Sequence, residues 1–324
     1  MNPLLCEAEL PRFDQIDANH VVPAITAILE ENQVEIDRHK LAATPEQAYQ
    51  AFHEIERLEA RLADAWSPVS HLNAVVNNDE LRAAYNACLP LISAYETAQG
   101  QDSALKSLFE MLKQNAGSLN LTLAEQKAVD NTLRDFQLSG VDLDQPTRKR
   151  FGALKQSLSA ATSRYAENVL DATDAWYKQL ETPDRLQGLP ERAMALASQS
   201  AKDAEMQGYR LTLSAPSYLA VMTHAEDRDL RREVYEAFVT RASDQGPQAG
   251  QFDNTALIQD ILIDRQSLAE ILGFERFTEL SLERKMAATP EVVLEFLAEL
   301  GSRTRPVALE DMRAIHTFAR DSLG

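Results

Sequence analysis

The sequence predicts a mainly α-helical protein: a multi-helical array with one small two-stranded antiparallel sheet. Three observations carry this. Gly is scarce, at 11 of 324 residues, while Ala, Leu, Glu, Gln and Arg are abundant, a composition that favours helix. Apolar residues recur at spacings of three and four along most of the chain, the mark of helices with one buried face. Two segments depart from that rhythm, at about 175–180 and 209–213, with aromatic or β-favouring residues. A lone strand leaves its backbone groups unpaired, so these two are expected to pair with each other.

In chain order, residues 1–17 read as extended, with Pro3 and Pro11 among scattered apolar residues. A first helix is expected from about Asn19 into the low 40s, with Ile25, Ile28, Leu29 and Ile36 as its stripe and Pro23 in its first turn. Thr44-Pro45-Glu46-Gln47 offers a threonine cap, proline at N1 and a glutamine placed for a capping box. Phe52, Ile55, Leu62 and Trp66 share one face of the helix that follows, and Ser67-Pro68 is expected to end it. Asp79 opens a helix through Tyr95, kinked at Pro90, with Leu81, Tyr85, Leu89 and Ile92 inward. A shorter helix occupies 102–115. Thr122 and Glu125 form a second capping box, for a helix through Leu138 that Gly140 closes. A long helix runs from about Gln145 to Leu170, with Phe151, Leu154, Leu158, Tyr165 and Val169 on its buried side.

The segment 174–181 reads as a strand, and Glu191 to Met206 returns to helix. Tyr209, Leu211 and Leu213 alternate, so they share one face of the second strand. Pro216 breaks that strand, and a short apolar helix spans Ser217 to His224. Asp227 is placed to cap the next helix, whose stripe is Leu230, Val234 and Phe238, with Asp229 as a first-turn charge. After a turn-rich loop, Ser243 to Asp253, Asn254 stands as a plausible N-cap. Leu257, Ile261, Leu268 and Leu272 form the stripe behind it, and Gly273 closes that helix. Thr289-Pro290-Glu291 starts one more, with Val293, Phe296, Leu297 and Leu300 inward. No flexible linker divides the chain, which reads as one helical portion, 1–324, in sub-blocks 1–140 and 141–324.

The formal charge of −18 argues against binding a nucleic-acid backbone or docking on an anionic membrane, both of which need a basic face. The acidity is explained by solubility. Cys6 and Cys88 have no metal-type or redox spacing, the N-terminus lacks signal-peptide character, and no run approaches the ~18 apolar residues of a membrane span. A cytoplasmic location is expected.

No catalytic or metal-ligating residue emerges from the residues themselves. A zinc-protease helix needs two histidines four apart, with a glutamate after the first. The nearest string is His53-Glu54-Ile55-Glu56-Arg57, and a guanidinium in the second ligand position has no lone pair to give. His53 reads as an outward-facing surface histidine. His20, His39, His71, His224 and His316 stand too far apart in sequence to be local co-ligands. There is no Gly-x-Ser-x-Gly elbow and no phosphate-cradling loop, and Cys6 and Cys88 read as packing or incidental thiols. The 243–253 loop reads as a surface connection, with a hinge or channel rim as the functional alternative. Arg265, on or beside an apolar stripe, is expected in a buried ion pair, with a position facing peptide substrate as the alternative. Substrate-binding residues stay unassigned.

The string from Tyr209 to Phe274, with SLERKMA at 281–287, closely resembles the thimet-oligopeptidase family of zinc metallopeptidases. LPRFDQIDANHVVPAI, WSPVSHLNAVVNNDELRAAY and ENVLDAT extend the likeness over nearly the whole chain. The resemblance implies a mostly helical body whose two lobes flank a deep channel. It implies a parent enzyme that hydrolyses short peptides with a zinc-bound water, on a His-Glu-x-x-His helix in a C-terminal half outside these residues. This portion would then wall the channel, hold no zinc itself, be inactive alone, and have short peptides and the catalytic half as partners. An apolar patch from Val292 onward, involving Leu297, Leu300, Leu309, Ile315 and Phe318, would face that half. Two other readings stand beside it: a free-standing helical interaction or scaffold protein without catalysis, and an enzyme whose site the sequence does not display.

Overall fold

The computed structural model describes residues 2–6 and 10–323. Among them are twelve α-helices, three 3-10 turns and one two-stranded antiparallel sheet, the expected fold class. The stretch expected to be extended at the N-terminus carries 3-10 turns at Pro3–Leu5 and Phe13–Gln15. Residues 1 and 7–9 of it lie outside the described residues. The chain forms two compact units, Met1–Asp264 and Arg265–Gly324.

The first unit opens with six helices: α1 (Ala18–His39), α2 (Pro45–Val75), α3 (Asp79–Gly100), α4 (Ser103–Gln114), α5 (Leu123–Leu138) and α6 (Gln145–Ala175). Their starts are fixed by local chemistry. Asp17 and His20 make a reciprocal capping box on α1, so Pro23 lies past the first turn. The Thr44 hydroxyl accepts from the Gln47 N–H, and the Gln47 side chain reaches back to the Ala43 N–H instead of the Thr44 one. Thr122 and Glu125 form the expected box on α5. Each such cap satisfies free backbone donors and is worth about 1 kcal/mol.

One helix end differs from expectation. Ser67-Pro68 does not stop α2, which continues to Val75. The missing N–H of Pro68 removes one intrahelical bond, but Ala65, Pro68 and Val69 are all buried. Packing of that face outweighs the local penalty. α3 likewise continues past Tyr95, to Gly100, with Pro90 inside it.

α1 packs on α2 and α3, α4 on α2 and α5, and α6 on α3. Two apolar cores result. One gathers Val21, Ile25, Ile28, Val69, Leu81 and Cys88 among α1, α2 and α3. The other gathers Phe52, Ile55, Leu108, Phe109, Leu112 and Phe136 among α2, α4 and α5. In the second, the Phe109 ring lies 6.1 Å from Phe52 and 5.8 Å from Phe136. Each fully buried aliphatic or aromatic side chain contributes roughly 1.5–3 kcal/mol. On α6 the buried positions are Phe151, Asn168 and Ala172, and Tyr165, expected inward, is exposed.

The rest of the first unit is built on the sheet. β1 (Tyr177–Leu180) pairs antiparallel with β2 (Tyr209–Thr212) in the register Tyr177↔Thr212 to Leu180↔Tyr209. Asp174 and Ala175, expected in the strand, end α6 instead. α7 (Glu191–Asp203) packs on β2, and α8 (Ala215–His224) packs on α9 (Arg228–Val239). Pro216 sits in the first turn of α8, where its missing N–H costs nothing. Leu211 and Leu213 point with Leu186, Val221, Leu230 and Val234 into a third core. The Asp227 carboxylate accepts from the Leu230 N–H at 2.9 Å, the expected cap. It also accepts from Arg185, which bridges to Glu233, itself paired with Lys178. The Arg185 hydrogen bond first, then the Leu230 N–H, bring the Asp227 carboxyl down to about 2.

α10 (Thr255–Ile271) follows, with the boundary between units inside it. Asn254 does not cap it by side chain. The Asp253 carboxylate takes the Thr255 N–H, at 2.8 Å. Asn254 is buried, and its Oδ1 accepts from Asn168 Nδ2 at 2.8 Å while its Nδ2 donates to the Tyr165 carbonyl. Gly273 closes α10 in the left-handed conformation, φ +85°, which leaves the Phe274 N–H free to reach the Ala269 carbonyl.

The second unit continues with α11 (Phe277–Leu282) and α12 (Pro290–Leu323). The Thr289 hydroxyl accepts from the Val292 N–H, as the sequence predicts. The expected inward stripe is not inward: Phe296, Leu297 and Leu300 are all exposed, Phe296 by 61%. Leu309, Ile315 and Phe318 are exposed as well. The amphipathic rhythm is real, and of the expected stripe only Val293 is half-buried, although α11 packs on α12.

Candidate functional site

The structure disperses the histidines. His53 is exposed, 3.5 Å from a Glu125 oxygen and edge-on to the Tyr49 ring. Arg57 pairs with Glu54 one turn away. His20 accepts from the Asp17 N–H at the start of α1, His39 stands near Glu35, and His71 lies edge-on to Phe13. Cys6 and Cys88 are free thiols, and burial pushes Cys88 up to about 11. Among the described residues no three His, Cys, Asp or Glu side chains gather closely enough to hold a metal ion. The Arg265 guanidinium lies 5.1 Å from the centre of the Phe277 ring, a cation–π contact in place of the expected ion pair.

The 243–253 loop folds back on itself. Ser243 Oγ donates to the Thr240 carbonyl, the Gly250 N–H to the Ser243 carbonyl and the Asn254 N–H to the Ala242 carbonyl. Its ends are thus tied together by the chain's own bonds, as in compact surface loops.

The arrangement best equipped to meet a ligand is a cleft of about 480 Å³ in the first unit. α2 brings Glu56, Glu59, Leu62 and Trp66 to it, α3 brings Ile92, Tyr95, Glu96 and Gln99, and Phe109, Asp135 and Phe136 come from α4 and α5. The spacing on α2 and α3 is helical, so each helix gives the cleft a single face. Trp66 is held flat against Tyr85, with ring centres 4.8 Å apart.

Acceptors outnumber donors here. Glu56, Glu59 and Glu96 make no ion pair among the described residues, whereas Asp135 is paired with Arg134. Gln99 Oε1 is buried without a donor. The Tyr95 hydroxyl stands beside Asn32 without a well-formed hydrogen bond to it. Carboxylates over aromatic and aliphatic walls suit an ammonium or guanidinium group on an apolar stem.

Glu59 is the most perturbed of these groups. Crowding by protein atoms first, then the neighbouring Glu56 charge, push its carboxyl up to about 7 from 4.5. Glu59 is nonetheless exposed to water. That solvent moderates the penalty on the charged form. In the window from about 4.5 upward to 7 the folded state holds more protons than the unfolded state. Stability therefore falls as pH rises through that window. Glu59→Gln should remove this slope, leaving a thermal midpoint less sensitive to pH between 5 and 7.5. Parallel pH profiles for the two proteins would contradict it.

The cleft's residues come from four helices, with no short motif to mark them, so the sequence did not reveal it. The family resemblance read from the sequence is borne out by similarity to known proteins. The family model described as "Neurolysin/Thimet oligopeptidase, N-terminal domain" matches residues 25–148, and that of "Peptidase family M3" matches residues 221–324. The chain is 42% identical to oligopeptidase A of Haemophilus influenzae over 324 residues, covering 100% of this chain and 47% of that protein. Oligopeptidase A of Escherichia coli is also 42% identical, with 100% and 48% covered. A probable cytosolic oligopeptidase A of Arabidopsis thaliana is 34% identical, with 99% and 46% covered. The chain spans about half the length of the curated relatives it matches. With both models matched in chain order and these relatives aligned over all or nearly all of its length, the chain belongs to peptidase family M3.

Proposed function

We propose that this chain is the N-terminal, peptide-handling portion of a cytoplasmic zinc oligopeptidase. Its part is to admit and position short, unfolded peptides, while hydrolysis depends on a His-Glu-x-x-His helix in a catalytic half beyond these residues. One observation carries the reading: the chain aligns along its full length with proteins named oligopeptidase A while accounting for under half of theirs. The described residues do not fit the family's zinc, since none of the six histidines has a partner four residues away and no ligand cluster forms. No hydrolytic step is therefore assigned to them. Positioning is itself catalytic work, because holding a peptide bond in register removes entropy from the barrier. The acidic cleft is the part of this chain suited to a basic peptide side chain or an amino terminus. No helix among the described residues is long and apolar enough to cross a membrane.

The reading is tested on the chain alone. After dialysis against trace zinc it should retain well under one equivalent, and it should leave a fluorogenic peptide uncut. One tightly held equivalent, lost in His53→Ala, would overturn the assignment.

A further inference from the structure

A second, smaller cavity has the opposite chemistry to the acidic cleft. It measures about 220 Å³ and lies among α7, β2 and the start of α8. Arg210 on β2 is its only charged lining residue. The guanidinium donates weakly to Ser200 Oγ, at 3.4 Å, and lies 5.0 Å from the centre of the Tyr177 ring. No carboxylate among the described residues pairs with it, in a chain with 50 acidic and 32 basic residues. Its Nε is buried and has no acceptor.

The hydroxyls around it are also short of acceptors. Ser217 Oγ accepts from the Thr212 N–H at 3.0 Å and Ser200 Oγ accepts from Arg210, so each keeps its own proton to donate. Thr212 and Ser214 bond to each other. The remaining wall is aliphatic, with Leu189, Leu196, Leu211 and Pro216. Arg210 is half-buried, with Nε fully enclosed, and a guanidinium so placed is commonly met by a planar anion on its fork, which this one lacks.

We propose that this cavity is a binding site for an organic monocarboxylate bearing a small aliphatic group. One guanidinium matches one negative charge, two hydroxyls supply the remaining donors, and the apolar wall takes the alkyl group. A phosphate dianion would need a second cation, which the cavity does not have. The carboxylate is supplied either by a peptide's C-terminus or by a free small acid. The site goes beyond the peptidase reading and does not rest on it, since binding is measured on this chain without a catalytic partner.

The test is calorimetric titration of the full chain with N-acetyl-alanine, N-acetyl-alanine amide, isobutyrate and inorganic phosphate. N-acetyl-alanine or isobutyrate should bind, and Arg210→Gln should weaken that binding by about tenfold or more, as loss of a charge-assisted pair requires. The amide should lose as much. Ser217→Ala, which keeps the charge, should weaken it severalfold, and it carries the test if Arg210→Gln does not fold. Preference for N-acetyl-alanine over isobutyrate assigns the peptide terminus, and equal binding assigns the free acid. Phosphate binding as tight as the carboxylates, amide binding as tight as the acid, no binding of any probe, or full affinity in a folded Arg210→Gln or Ser217→Ala would overturn the proposal.

Discussion

Leu211→Asp is expected to be the most damaging single substitution in the sheet region, lowering stability by about 4 kcal/mol or more. Leu211 is 2% exposed, lies opposite Lys178 in the ladder and packs into the core with Leu213, Leu230 and Val234. Removing its side chain from that core forfeits roughly 1.5–3 kcal/mol of transfer energy. A carboxylate put in its place must either be desolvated or take up a proton, and each route costs several kcal/mol more. A domain stable by only about 5–15 kcal/mol loses a large fraction of that. Urea unfolding followed by near-ultraviolet circular dichroism measures it, with Leu211→Ala as the reference for lost packing alone. An Asp variant no less stable than the Ala variant would show that the strand face is not buried.

Asn254→Ala is expected to cost about 2–3 kcal/mol, more than a lost helix cap. The Asn168 amide loses its acceptor and the Tyr165 carbonyl loses a side-chain donor, both in the buried join between α6 and the start of α10. Asp253, which holds the Thr255 N–H, is the actual cap, so Asp253→Ala should cost only about 1 kcal/mol. Asn168 and Asn254 should also couple in a double-mutant cycle by about 1 kcal/mol or more. Equal costs for the 253 and 254 variants, with no coupling, would return Asn254 to the role of an ordinary cap.

That pair marks where sequence reading stops. Helix starts at Thr44, Thr122, Asp227 and Thr289 were legible because a cap acts on backbone groups two or three residues away. The two strands were legible because period-two and aromatic patterns stand out against a helical background. Asn254 was misread because its partners lie more than eighty residues earlier, on α6. Pro68 was misread because burial, which no local pattern displays, decides whether a helix survives a proline. The apolar run on α12 was read correctly as amphipathic, but periodicity does not say whether a covering partner belongs to the same unit. The two cavities were invisible for the same reason. Arg210 stands at the alternate position of a strand whose Tyr209, Leu211 and Leu213 share one face, and only packing places its guanidinium beside Ser200. Family membership was legible early because it rests on long strings of residues, which need no assembled geometry.

If this chain is one part of a longer peptidase, as proposed, it should combine with the half that carries the catalytic helix. The chain would be mixed with a separately expressed C-terminal half of oligopeptidase A from Haemophilus influenzae, and mass, zinc and peptide cleavage would be followed together. The exposed apolar face of α12, with Leu297 and Leu300, is the surface to test as the contact. Light scattering should show a one-to-one complex that holds one zinc and cuts a fluorogenic peptide, and Leu297→Asp with Leu300→Asp should prevent its formation. A chain that stays monomeric in the presence of that half, with no gain of zinc or activity and no effect of the α12 substitutions, would contradict it.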